Sequence, residues 1–148
     1  AKVHGACFTG ALEIALHCDF IFTTDDAKFG DTHTKFGLRP TWGMSQTLAQ
    51  AVGVRRAKEL SFTARIFRGP EAVSMGLAND SVGDKDTLDA LVTERAGAIA
   101  GNSRAAVSAM KALYGLAQEG HSMDAGLERE LALEFPEITD TAERLSEF

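Results

Sequence analysis

The sequence predicts an α/β fold, and three observations carry that expectation. Short apolar and β-branched runs, separated by Gly and Asp turns, fill the first third of the chain. The last two-fifths carry apolar residues at helical spacing. The composition, 45% hydrophobic and 24% charged, is that of a globular protein. With 148 residues there is enough chain for one sizeable core and too little for two ordinary domains.

The elements follow in order. The opening Val3-His4-Gly5 is a short apolar strand running into a Gly loop, so the chain is expected to begin mid-domain. Ala11 to His17 is rich in Ala, Leu and Glu and predicts a short helix starting near Thr9-Gly10. Phe20 to Thr23 predicts a buried strand, and Ala27 to Phe29 a second one after the Asp25-Asp26 turn. From Asp31 to Gly43 no period is sustained, and Gly37, Pro40 and Gly43 mark a loop. Helices are expected over Ser45–Val52, ended by Gly53, and over Val54–Phe62, with Ala57, Leu60 and Ser61 on one side. Pro70 sits at the first position of another, which stops at Gly76. Three more follow the spacings Leu88 to Ile99, Val107 to Ala117 and Met123 to Phe135, the last broken by Pro136. Asp140 and Glu143 have capping-box spacing for a final helix running to Phe148.

Charge and composition also exclude partners. The net charge is −6 and Lys and Arg form no run, so a nucleic-acid-binding face is not expected. No apolar stretch reaches bilayer-spanning length, and no signal segment is visible. Cys7 and Cys18 are too few for a disulfide framework and lie in apolar surroundings. Both are expected to be buried thiols of a reducing, cytoplasmic compartment.

The chemistry-bearing segment is Phe8 to Asp19, a strand, a small-residue loop and a helix start. Backbone N–H groups at a helix N-terminus are unpaired and favour developing negative charge. Gly10 has no side chain to keep a ligand oxygen from its N–H, which suits one half of an oxyanion hole. Glu13, three residues on, reaches the same space as a general acid or base. The alternatives are a loop kept small only for packing and a solvated Glu at the helix dipole.

Val3-His4-Gly5 through Cys18-Asp19, then Ala27-Lys28-Phe29-Gly30, resembles the signature of the enoyl-CoA hydratase/isomerase (crotonase) family. Gly37, Pro40, Gly43, Gln46, Leu48 and Val52-Gly53 continue the likeness. So do Ala57, Glu59-Leu60, Ala72 and Gly76-Leu77-Ala78-Asn79. It runs in register over about the first eighty residues; the later helices match in type more than in motif. The resemblance implies a crotonase-type spiral of ββα units. Residues 1–80 would be the C-terminal part of that core and residues 81–148 a helical trimerisation region. It also implies an acyl-CoA substrate, CoA entering as part of it with no separate cofactor, and a homotrimer or hexamer. In the reaction implied, water adds to a trans-2-enoyl-CoA whose thioester oxygen is held by the Gly10 N–H, while Glu13 manages protons. The other oxyanion donor and most of the CoA loop belong to the family's N-terminal part, so this chain alone is expected to be inactive.

Two departures matter. The family's Gly-Gly-Gly run is here Thr9-Gly10-Ala11, and its second catalytic Glu is replaced within Asp31-Thr32-His33. A His can also serve as acid or base; His33 is a catalytic candidate, with structural and substrate-orienting roles as alternatives and Asp31 as its orienter. A shift to double-bond isomerisation, C–C cleavage or acyl-CoA binding without turnover is the competing expectation. Trp42-Gly43-Met44-Ser45 also resembles the dihydroxynaphthoyl-CoA synthase branch, which however lacks the first Glu. Trp42 is placed either over the acyl chain or in the core. His4 and His17 are expected to bond locally, cap or pack, and His121 to be a loop residue. No His spacing suggests a metal site.

Overall fold

In the computed structural model, which describes residues 1–146, the chain forms two compact units, Ala1–Thr93 and the residues from Glu94 onward. The first unit contains β1 (Lys2–Val3), β2 (Ala6–Phe8), α1 (Gly10–Leu16), β3 (Phe22–Thr24), β4 (Lys28–Gly30) and a 3-10 turn (Thr34–Phe36). It continues through α2 (Met44–Val52), α3 (Val54–Thr63), β5 (Phe67–Arg68), α4 (Gly69–Ser74) and β6 (Asp80–Val82). α5 (Lys85–Gly101) carries the boundary within its length. The second unit adds α6 (Arg104–Gln118), α7 (Met123–Ala132) and α8 (Thr141–Ser146). The expected end of that last helix at Phe148 lies outside the described residues.

The first four strands alternate between two sheets. β1, β3 and β6 form one, in the order β1-β3-β6 and all parallel. β2 pairs in parallel with β4, whose other edge takes β5 antiparallel. The repeat β1β2α1, β3β4α2 is the expected ββα spiral. The strand foreseen at Phe20–Thr23 begins two residues later. Ile21 gives its N–H to the Asn79 side chain (2.9 Å) instead of to a strand neighbour, and Phe20 stays half-exposed.

The helices bury Leu12 from α1, Met44 and Leu48 from α2, and Ala57 and Leu60 from α3 in one core cluster with Cys7, Phe29 and Phe67 from the strands. Phe29 stacks on Phe67 with centroids 5.7 Å apart. Each fully buried large side chain contributes roughly 1.5–3 kcal/mol. α2 and α3 meet at Gly53, whose φ of 79° lets one residue end one helix and start the next. Gly69 is required for a different reason. A Cβ there would collide with the Thr24 carbonyl oxygen and the Ser81 hydroxyl.

Several expectations are corrected. Cys7 is buried but Cys18 is exposed. It follows His17, the C-cap of α1, where the chain has turned away from the core, and its thiol reaches only the Ile14 carbonyl (3.7 Å). α7 stops at Ala132 because Leu133 is already extended, ahead of the break expected at Pro136. The Asp140 carboxylate takes bonds from Ser103 (2.7 Å) and Arg144 (2.6 Å). The helical stripes of α6 and α7 leave Met110, Tyr114, Met123, Leu127 and Leu131 exposed. Periodicity reports that a face is apolar, not that this chain covers it. No helix among the described residues is long and apolar enough to cross a membrane.

Candidate active site

The site is built on the entry to α1. Thr9 has φ 51° and ψ −112°, a conformation that costs a non-glycine residue about 1–3 kcal/mol. It is held on both sides: its N–H donates to the Gly30 carbonyl (3.0 Å), and its hydroxyl bonds that of Thr32. Gly10, the first residue of α1, then has no intrahelical acceptor for its N–H.

Glu13 does not lie in solvent at the helix start. Its side chain is buried (2% exposed), and Oε1 accepts the backbone N–H groups of Trp42 (3.0 Å) and Met44 (3.2 Å). Oε2 lies 3.7 Å from His33 Nε2, ion-pair range but longer than a hydrogen bond. The imidazole is buried too. Its Nδ1 is 2.6 Å from Asp31 Oδ1. A carboxylate only accepts, so Nδ1 carries a proton and Nε2 is the nitrogen turned to Glu13. Asp31 Oδ1 also accepts the His33 backbone N–H (3.2 Å), and Oδ2 accepts the Ser61 hydroxyl of α3 (2.6 Å).

Trp42 is not in the core. Its side chain is mostly exposed and lies over Gly10, where an added Cβ would come 3.0 Å from Trp42 Cζ3. Its backbone is clamped to α1 twice, by Glu13 at the N–H and by His17 Nε2, which donates to the carbonyl (2.7 Å).

The fold therefore gathers Gly10, Glu13, Asp31, His33 and Trp42 into one place. His17 belongs to their support and Ser61 was missed. The available signal for Ser61 was a hydroxyl on the apolar side of α3 beside Ala57 and Leu60. His121 sits elsewhere, against Glu119 (2.8 Å). Among the described residues no group of three or more His, Cys, Asp or Glu side chains is arranged to hold a metal ion. A recess of about 560 Å³ in the second unit, lined by Arg104, Ser108, Ala109, Phe135 and Glu137, contains none of the residues of this cluster.

A carboxylate and an imidazole in contact, beside an unpaired helix-start N–H, form an arrangement for moving protons next to an anionic oxygen. The family model for enoyl-CoA hydratase/isomerase matches residues 1–144. The chain belongs to this family. A crotonyl-CoA hydratase of Syntrophomonas wolfei is 34% identical over 134 residues, 90% of this chain and 49% of that protein. A peroxisomal Delta(3,5)-Delta(2,4)-dienoyl-CoA isomerase of Arabidopsis thaliana is 36% identical over 128 residues, 86% of this chain and 46% of that protein. A solved structure from Thermobifida fusca, in complex with acetoacetyl-CoA, is 30% identical with a TM-score of 0.84 and covers all of this chain and 55% of that one. The fold is thus the crotonase fold, and the chain spans about half the length of the curated relatives it matches.

Proposed function

We propose that this chain supplies the acid–base half of an enoyl-CoA hydratase site, acting on a trans-2-enoyl-CoA. The observation that carries the reading is the buried pair of Glu13 Oε2 and His33 Nε2, 3.7 Å apart, one helical turn from Gly10. Two such groups can contact one water: one deprotonates it and the other returns a proton to the α-carbon. The Gly10 N–H would hold the thioester oxygen as negative charge develops, and Trp42 would line the acyl chain. CoA arrives as part of the substrate, without a separate cofactor.

The test is product analysis with crotonyl-CoA. The full-length protein is expected to give the 3-hydroxyacyl-CoA, whereas residues 1–148 alone are expected to be inactive and to aggregate through apolar surface. Absence of hydroxyacyl product from the full-length protein refutes the hydratase reading, and hydration by the isolated chain refutes the half-site reading.

A second reading is isomerisation of the double bond. It is favoured by His33 standing where a second carboxylate would be, and by the isomerase among the relatives. Migration of the double bond in a 3-enoyl-CoA without hydration would select it; tight binding without product would select a non-catalytic acyl-CoA binder. The exposed apolar faces of α6 and α7 support a homotrimer or hexamer, measurable by sedimentation. A chain with two cysteines, Cys7 and Cys18, too few for a disulfide framework, fits a cytoplasmic setting.

A further inference from the structure

We infer that Ser61 is a positioning residue for the reaction proposed above: its hydroxyl fixes the Asp31 carboxylate so that His33 keeps a proton on Nδ1 and turns Nε2 to Glu13. The inference rests on that reading for its catalytic consequence, but not for its geometry. A serine inside a helix commonly points its hydroxyl to solvent or returns it to the carbonyl four residues back. Ser61 instead directs it out of α3 to Asp31 Oδ2, at 2.6 Å. The same residue takes a second bond in the opposite sense, the Thr34 hydroxyl donating to the Ser61 carbonyl (2.6 Å). The segment 31–34 is therefore tied to α3 at one residue by both a side chain and a backbone group.

The consequence is a set orientation. Asp31 Oδ1 accepts both His33 Nδ1 and the His33 backbone N–H. Those two bonds share one oxygen, so they leave the carboxylate plane free to turn about it. Ser61 on Oδ2 removes that freedom. The charged groups facing the imidazole are Asp31 at Nδ1 and Glu13, from α1, at Nε2; α3 contributes the neutral donor. Without the hydroxyl, the Nδ1–H partner loosens and the other tautomer, with its proton on Nε2, becomes accessible. That tautomer has no lone pair to offer on the Glu13 side.

The experiment is ¹⁵N spectroscopy of labelled histidines in the full-length protein, together with kinetics. The wild type is expected to show His33 with Nδ1 protonated. Ser61→Ala is expected to show the Nε2-protonated form or an average of the two. A hydrogen bond to a charged group translates to about 10- to 100-fold, so kcat should fall by about 10-fold or more with KM within about twofold. Ser61→Thr, which keeps the hydroxyl, should restore both. Should Ser61→Ala fail to fold, Ser61→Cys, similar in size and a weaker donor, is judged by the same criteria. A His33 signal unchanged in the variant overturns the inference, as does an unchanged kcat in a hydrating enzyme. The spectrum requires no substrate. A full-length protein that does not hydrate crotonyl-CoA would thus sink the functional reading while leaving the Ser61 assignment to be judged on its own signal.

Discussion

Glu13 has two tasks that a pair of substitutions separates. Its Oε1 is the acceptor for two backbone N–H groups, those of Trp42 and Met44, and its Oε2 faces His33. Glu13→Ala removes both functions. Leaving a buried donor unpaired costs about 1–3 kcal/mol, so the buried Met44 N–H implies a loss of roughly 1–3 kcal/mol, to which the part-buried Trp42 N–H adds less. For a domain of this size each kcal/mol lowers Tm by roughly 2–4 °C. Glu13→Gln is different. The amide oxygen can still accept from Trp42 and Met44, and the NH₂ presents a donor rather than an acceptor toward His33 Nε2, so stability should change by less than about 1 kcal/mol. The amide cannot exchange a proton at neutral pH, and kcat should fall by about 10²-fold or more. The assays are thermal melting and the loss of conjugated enoyl thioester absorbance, both on the full-length protein. Normal turnover by Glu13→Gln removes the carboxylate from the mechanism, and an unchanged melt for Glu13→Ala shows that it does not anchor the Trp42 segment.

Three further outcomes are expected. Gly10→Val, whose Cβ would press on the Trp42 ring, should lower turnover on the order of 10²-fold, as loss of one oxyanion donor does; a folded variant of normal rate removes Gly10 from the site. Gly69→Ala should cost about 1–3 kcal/mol in a melt, because the new methyl meets the backbone of β3; wild-type stability would show that α4 can move aside freely. Burial pushes the Cys7 thiol up to about 11 from an ordinary 9.0, so the folded state holds that proton more tightly than the unfolded one. Its contribution to stability is complete below about pH 9 and is lost as pH rises toward 11; Cys7→Ala should flatten this alkaline decline, and an identical decline in the variant would refute the assignment.

What was legible in the sequence was local. Gly10 and Glu13 lie three residues apart, and helix-start chemistry alone places them together. His33 and Asp31 were legible through a family pattern interrupted at one point. Ser61 and His17 were not, because their meaning comes from partners 30 and 25 positions away. The direction of Glu13 was also hidden: spacing places it on the first turn of α1, but only the fold delivers the Trp42 and Met44 N–H groups to it. β5 and β6, of two and three residues, are too short to display an alternating pattern. The α6 and α7 stripes were read correctly as apolar faces, while their exposure depends on contacts that no periodicity encodes.

The alternation of strands between two sheets has a consequence for the order in which the chain assembles. β2 and β4 meet across 22 positions, Ala6 opposite Lys28, and every side chain of the Glu13–His33–Asp31–Ser61 cluster has been synthesised by residue 61. β6 reaches β3 only when Asp80 finds Phe22, and the Ile21–Asn79 bond spans 58 positions. Closing longer loops costs more chain entropy, and non-local pairings slow folding. During synthesis, the proton-handling residues can therefore gather while the β1-β3 sheet still shows a bare edge at β3. For that interval the nascent chain holds its chemistry and an unpaired strand side by side, and that edge is the surface on which mispairing with another copy would begin.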